Sequence, residues 1–275
     1  MSVLTRSSDQ IDRRIVGEAG TEVVARVATF PGATTAAPEF CFLHGLVGLN
    51  EHWEHVAKSI TDAARCTLLE IPLLRLRGKD CSIHGATSLT ANFLEDHFDR
   101  PVTLVGNSFG GHVALKLALT RPDLVHSLVL AGSSGLLEKS QIGSIELRPS
   151  RRWLREKIGE LFFDKDHVSD ADIERAHAEL STKDGARAMV RLSRSARKDH
   201  LGDTIAGIAQ PTLLVWGKED TVTPPEAGRA FASLMPNSRM VWLDRCGHAP
   251  MIEQPEPFAD AMRTFAHELR TAPKG

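Results

Sequence analysis

The chain of 275 residues contains no tyrosine. That absence excludes any mechanism built on a phenolic acid, base or oxyanion donor. Cysteine is scarce: Cys41, Cys66, Cys81 and Cys246 are scattered, without metal-ligand spacing. No apolar run approaches the roughly 18 residues of a membrane span. The opening stretch, Met1 to Gln10, has no hydrophobic segment of the signal-peptide kind, so a cytoplasmic protein with reduced thiols is expected. An excess of one charge is also lacking: 33 Lys and Arg face 35 Asp and Glu, a formal charge of −2, which gives no reason to expect nucleic acid or a membrane as partner. No dinucleotide glycine pattern and no metal cluster appear, so neither a cofactor nor a metal is implied.

What is present is a globular composition, 42% hydrophobic and 25% charged, long enough for one large core or one core plus an insert. Residues 1–12 are polar and read as loose. Ile15–Glu18 and Glu22–Phe30 flank Ala19-Gly20-Thr21 and read as a hairpin. Strand-like and helix-like runs then alternate: Phe40–Leu43, Glu51–Ile60, Thr67–Ile71, Ser88–Phe98, Val102–Val105, His112–Thr120, Ser127–Leu130. Alternation of this kind predicts a mostly parallel sheet covered on both faces. The pattern breaks after Gly132. Residues 133–202 are helical in period and rich in charge; strand and helix resume at Thr212–Trp216, Pro225–Leu234, Arg239–Leu243 and Pro257–Leu269.

Chemistry concentrates in Gly106-Asn107-Ser108-Phe109-Gly110, between the strand at Val102–Val105 and the helix that follows. A serine at the tip of a strand-turn-helix is held in a strained conformation, and flanking glycines let strand and helix approach. Serine needs a base, and the base needs an orienting acid. His248, in Cys246-Gly247-His248, lies just past a strand end and suits the base; His112 is its nearest rival in sequence. Asp220, three residues past Trp216-Gly217, suits the acid, with Glu219 adjacent. His44-Gly45 follows the apolar run Phe40–Leu43.

The order Ser, Asp, His together with these contexts resembles the α/β-hydrolase superfamily, over nearly the whole chain. The resemblance implies an α/β-hydrolase fold: an eight-stranded, mostly parallel sheet with helices on both faces and a helical cap inserted after strand six. The core would comprise residues 1–132 and 203–275, the cap residues 133–202. It also implies a catalytic set of Ser108, Asp220 and His248 and an oxyanion hole from the N–H groups of Leu46 and Phe109. His44, Gly45 and Asn107 would lie against substrate, although His44 also suits a brace for its loop and Asn107 an amide that orients the loop.

Gly106 to Gly111 and Cys246-Gly247-His248 look like the meta-cleavage-product hydrolases, which split a carbon–carbon bond in vinylogous diketones. The sequence departs from them at His44-Gly45-Leu46-Val47-Gly48-Leu49, where they carry His-Gly-Ser-Gly-Pro-Gly, and at Ala249, where they carry tryptophan. Their cap arginine has no clean counterpart here; the region of Glu174-Arg175 aligns only with a shift. The loop from Ile71 to Ser82 departs from the superfamily pattern as well.

The expected function is cleavage of small carboxylic esters through an acyl-enzyme, with carbon–carbon cleavage of a diketo acid as the alternative. The expected partner is a small-molecule ester or diketo acid, and a homodimer is left open. A binding protein and an acyltransferase on the same fold are the other readings. Serine at 108, where an aspartate would serve dehalogenases and epoxide hydrolases, argues against those reactions. Two basic stretches in the cap, Arg148, Arg151, Arg152, Arg155, Lys157 and Arg187, Arg191, Arg194, Arg197, Lys198, read as salt-bridged surface or as the source of an arginine for a substrate carboxylate. Leu136, Leu137, Trp153, Leu161, Phe162 and Phe163 are expected to form an apolar cleft.

Overall fold

The computed structural model describes residues 9–18, 20–137 and 149–271. In chain order the elements are β1 (Asp9–Val16), β2 (Glu22–Phe30), β3 (Glu39–Leu43), α1 (Glu51–Ser59), β4 (Arg65–Glu70), α2 (Ile83–His97), β5 (Val102–Asn107), α3 (Phe109–Thr120) and β6 (Val125–Ala131). They continue with α4 (Arg151–Gly159), α5 (Asp170–Leu180), α6 (Lys183–Lys198), β7 (Thr212–Gly217), α7 (Pro225–Leu234), β8 (Ser238–Leu243), α8 (Pro250–Glu253) and α9 (Pro255–Thr271). The strands form one eight-stranded sheet in the order β1-β2-β4-β3-β5-β6-β7-β8. The pairs β1–β2 and β2–β4 are antiparallel; β3, β4, β5, β6, β7 and β8 run parallel. This is the expected α/β-hydrolase architecture.

β5 and β7 are buried at every position, as strands covered on both faces must be. In β3 the two-residue period sorts side chains between two cores: Cys41 and Leu43 face α2 and α3, Phe40 and Phe42 face α1 and α9. Trp53 of α1 anchors the second core, with ring centroids 5.3 Å from Phe42 and 5.9 Å from Phe258. On the opposite face Trp216 of β7 meets Phe231 of α7 at 5.6 Å.

Two expectations of local structure are corrected. Residues 9–12, taken with the polar start of the chain as loose, belong to β1, whose hairpin pairing with β2 begins at Asp9↔Thr29. β1 is an edge strand with a mostly exposed face, so it carries polar and charged residues where a central strand carries apolar ones. Helix α2 starts at Ile83, five residues before Ser88. Ser82 caps it by accepting from the Gly85 N–H at 3.0 Å. Gly85 is needed there because a Cβ would lie 2.4 Å from the Asp80 backbone.

Helices α4, α5 and α6 all fall between β6 and β7. The backbone leaves and returns side by side, with the Leu201 N–H donating to the Gly135 carbonyl at 2.9 Å. Arg148 lies outside the described residues. No helix among the described residues is long and apolar enough to cross a membrane.

Candidate active site

The chain runs from β3 outward to β4, then returns to place β5 on the other side of β3. Between these two strands lies the topological switch point, where loops leave in opposite directions and a crevice opens. The loop after β3 carries His44 to Leu49; the turn after β5 carries Ser108.

Ser108 has φ 53° and ψ −118°, a conformation that L-residues avoid. Its surroundings hold it there. The Ser108 N–H donates to the Ala131 carbonyl, and its own carbonyl accepts from the N–H groups of His112 and Ser134. Strand, turn and helix meet closely: a Cβ on Gly110 would sit 2.3 Å from the Leu43 carbonyl, and one on Gly106 would sit 2.5 Å from the Gly110 carbonyl.

His248 follows β8, and its Nδ1 lies 2.9 Å from Asp220 Oδ2. Both residues are buried. Asp220 Oδ1 accepts from the N–H groups of Val222 and Thr223 at 2.8 and 2.9 Å. The Thr223 hydroxyl bridges, 2.8 Å from Asp220 Oδ2, 3.0 Å from the Gly132 carbonyl and 3.2 Å from His248 Nδ1. Gly132, at φ 50°, leaves room for the pair: a Cβ there would lie 2.9 Å from Asp220 Oδ2 and 3.1 Å from His248 Nδ1. The neighbouring Glu219 turns elsewhere and accepts from the Cys246 N–H at 2.9 Å. His112 is fully buried and faces Asp199 at 3.1 Å.

His44 is buried with its ring nitrogens against the carbonyls of Gly45 (2.6 Å) and Ile71 (3.1 Å), and burial holds its pKa below the ordinary imidazole value. The Asn107 amide donates to the Ala131 and His248 carbonyls at 2.9 and 3.0 Å. The nitrogens of both side chains therefore face backbone carbonyls, although both residues border the cavity. Gly48 N–H donates to the Gly45 carbonyl at 3.0 Å, so Gly45 to Gly48 is a β-turn with Leu46 and Val47 at its centre. Among the described residues nothing accepts from the Leu46 N–H. The Phe109 N–H opens α3, where the first turn has no partners within the helix.

Ser108, Phe109, Leu46, Gly45 and His248 border one cavity of about 270 Å³. Of the residues expected to form an apolar cleft, Trp153, Leu161 and Phe162 line it. Leu136 is buried in the core instead; Leu137 and Phe163 are exposed, and Arg245 lies over the Phe163 ring at 5.3 Å. Most of the basic residues described between β6 and β7 serve the surface: Arg151 pairs with Glu174, Arg155 with Asp170 and Lys157 with Glu160, while Arg191 donates to the Gly78 carbonyl. Lys157, Arg175 and Arg197 also border the cavity.

Sequence reasoning missed two residues that brace the site. Thr223 had a local signal, since Asp followed three residues later by Thr before a helix is a turn in which the carboxylate takes backbone N–H groups. Glu253 had none. Its carboxylate accepts from the N–H groups of Gly247 and Phe163, both at 2.7 Å, and burial raises its pKa. It joins the loop carrying His248 to the segment after α4, which also takes the His248 N–H on the Leu161 carbonyl at 2.7 Å.

The profile of the alpha/beta hydrolase family matches residues 42–261. The chain belongs to the α/β-hydrolase family. Among curated relatives it is 32% identical over 179 residues to the 2-hydroxy-6-oxo-6-(2'-aminophenyl)hexa-2,4-dienoic acid hydrolase of Metapseudomonas resinovorans, a match over 62% of this chain and 61% of that protein. It is 24% identical over 247 residues to the pimeloyl-[acyl-carrier protein] methyl ester esterase of Nitrosomonas europaea, over 82% of this chain and 94% of that one. Among solved structures, a thermophilic esterase from Thermogutta terrifontis superposes with a TM-score of 0.75 at 18% identity, covering 95% of this chain and 100% of the other. As an α/β hydrolase the chain belongs with relatives of both esterase and carbon–carbon hydrolase activity.

Proposed function

We propose that this α/β hydrolase cleaves carboxylic esters of small molecules through an acyl-enzyme on Ser108. In this reading His248 takes the Ser108 proton through Nε2 as the hydroxyl attacks the carbonyl. Asp220 fixes the imidazole by its bond to Nδ1 and stabilises the imidazolium. The N–H groups of Leu46 and Phe109 hold the oxyanion. The imidazolium then protonates the leaving alcohol, and a water deprotonated by His248 releases the acid. Helices α4 to α6 form the cap and wall the acyl site.

The observation that carries the ester reading is the character of the cavity. Its wall is mainly apolar; of the cations that border it with Arg197, Arg175 already donates to the Val47 carbonyl and to Asp172, both at 3.0 Å, and Lys157 pairs with Glu160. That arrangement suits a neutral acyl chain better than a carboxylate. The likeness to a methyl ester esterase over most of both chains supports the same reading. A second reading, hydrolysis of a carbon–carbon bond in a dienoic diketo acid, is favoured by the 32% identity to an enzyme of that name and uses the same residues.

A fluorophosphonate label followed by paired substrates tests both. Labelling at Ser108 with turnover of short aryl esters is the expected result. Turnover of the diketo acid alone selects the second reading, and absence of label on Ser108 removes the serine mechanism. Ser108→Ala is expected to lower kcat by about 10⁴–10⁶ while the thermal unfolding transition persists.

A further inference from the structure

We infer that Arg175, on α5, is a positioning residue: with Asp172 and His52 it clamps the Gly45–Gly48 turn and so fixes the direction of the Leu46 N–H. The inference rests on the reading above, in which that N–H is an oxyanion donor. Four contacts compose the clamp. Arg175 Nη2 donates to the Val47 carbonyl at 3.0 Å and to Asp172 Oδ1 at 3.0 Å. His52 Nε2 lies 3.2 Å from the same Asp172 oxygen. The Leu49 N–H donates to His52 Nδ1 at 3.3 Å. Because Nδ1 accepts, the ring proton belongs on Nε2, facing Asp172.

The clamp acts on the right atoms. Val47 C=O and Gly48 N–H belong to one peptide unit. Its N–H closes the turn onto the Gly45 carbonyl; its C=O is held from α5. Rotation of that unit changes the turn, and the turn sets where the Leu46 N–H points. The turn has little slack, since a Cβ on Gly48 would lie 2.8 Å from the His44 Cβ. On the opposite side the His44 ring lies between the Gly45 and Ile71 carbonyls and, with one N–H when neutral, donates to one of them. The three clamp side chains are largely buried, with 18% to 24% of their surface exposed, so their hydrogen bonds are shielded from water. The hydrogen bond from His52 keeps the Asp172 carboxyl below the usual carboxylate range, as expected for an acceptor shared by two donors. The guanidinium is thereby committed to the protein backbone and to an acid.

The test is the labelling of full-length protein at Ser108 by a small uncharged fluorophosphonate, with maximal rate and affinity measured separately. Arg175→Met and Asp172→Ala are each expected to lower the maximal rate about 10- to 100-fold, since a displaced donor costs about as much as a misplaced substrate, and to leave affinity within about threefold. The double variant is expected to be no worse than Arg175→Met alone, because both act through one linkage. Arg175→Lys, which retains a donor and a charge, is expected to recover most of the rate. Glu174→Gln, on the same helix but paired with Arg151, is expected to label like the wild type. If Arg175→Met does not fold, Asp172→Ala carries the same requirement. An unchanged maximal rate in the folded variants, or a loss confined to affinity, overturns the clamp. Failure of the wild type to label at Ser108 instead overturns the serine-hydrolase reading on which it rests.

Discussion

At the residue scale the proposed base and acid are defined by what surrounds them. The imidazole–carboxylate bond of His248 and Asp220 is enclosed by Thr223 on one side and by Gly132 on the other. Gly132 matters twice, for its positive φ and for the absence of a Cβ. Gly132→Ala is expected to lower kcat by about 10²-fold by displacing the ring from its partner, with a destabilisation of about 1–3 kcal/mol from the strained backbone. Steady-state kinetics beside urea denaturation check both. The residues proposed to carry side-chain chemistry, Ser108, His248 and Asp220, were legible because each follows a strand end in a recognisable order. Asp220 is preferred to the adjacent Glu219 on the resemblance of the turn Trp216 to Asp220, and the side chains point accordingly: Asp220 meets the imidazole, while Glu219 braces the Cys246 N–H.

At the element scale, strand edges and helix starts were harder to read than the central strands. β5 and β7 announce themselves by continuous apolar runs. β1 does not, because an edge strand is free to be polar, and the start of α2 is hidden by Gly85, a residue chosen for close packing and not for helix propensity. The apolar cleft was read half correctly for a related reason. Trp153, Leu161 and Phe162 share the cavity, but hydrophobicity alone cannot tell a lining residue from Leu136 in the core or Phe163 at the surface. Glu253 illustrates an interaction that no local pattern reveals. It spans from α8 to the backbone after α4, roughly ninety positions away in sequence, and to Gly247 beside His248. Glu253→Gln would set an amide N–H₂ against backbone N–H donors. Its expected effect is a loss of about 1–3 kcal/mol of stability, with a lower kcat because the loop holding His248 loses an anchor. Chemical denaturation and ester kinetics on the one variant test the two halves together.

At the scale of the whole molecule, the inserted helices are tied to the core at their base as well as at the site. Asp199, just past α6, accepts from His112 Nε2 at 3.1 Å and from Lys116 Nζ at 2.7 Å, both on α3. The hydrogen bond from His112, with that from Lys116 and the charge of the lysine, lowers the Asp199 pKa to about 2. The sign follows from that depression. The folded state prefers the ionised carboxyl, so the tie contributes in full above the ordinary aspartate pKa, near 4, and is lost as pH falls from there towards 2. Asp199→Asn is therefore expected to be less stable than the wild type at pH 7, with the gap narrowing near pH 3; urea midpoints at the two values measure it.

The left-handed backbone of Ser108 has a consequence for how this molecule can be improved. Glycine at that position would relieve the torsion and, after its greater freedom in the unfolded chain is counted, leave a net gain of about 1 kcal/mol. Ser108→Gly should thus melt higher than the parent in calorimetry while, on the proposed mechanism, turning nothing over. Selection for heat resistance alone would drift towards that inert protein, so the serine is a place where durability and usefulness pull against each other.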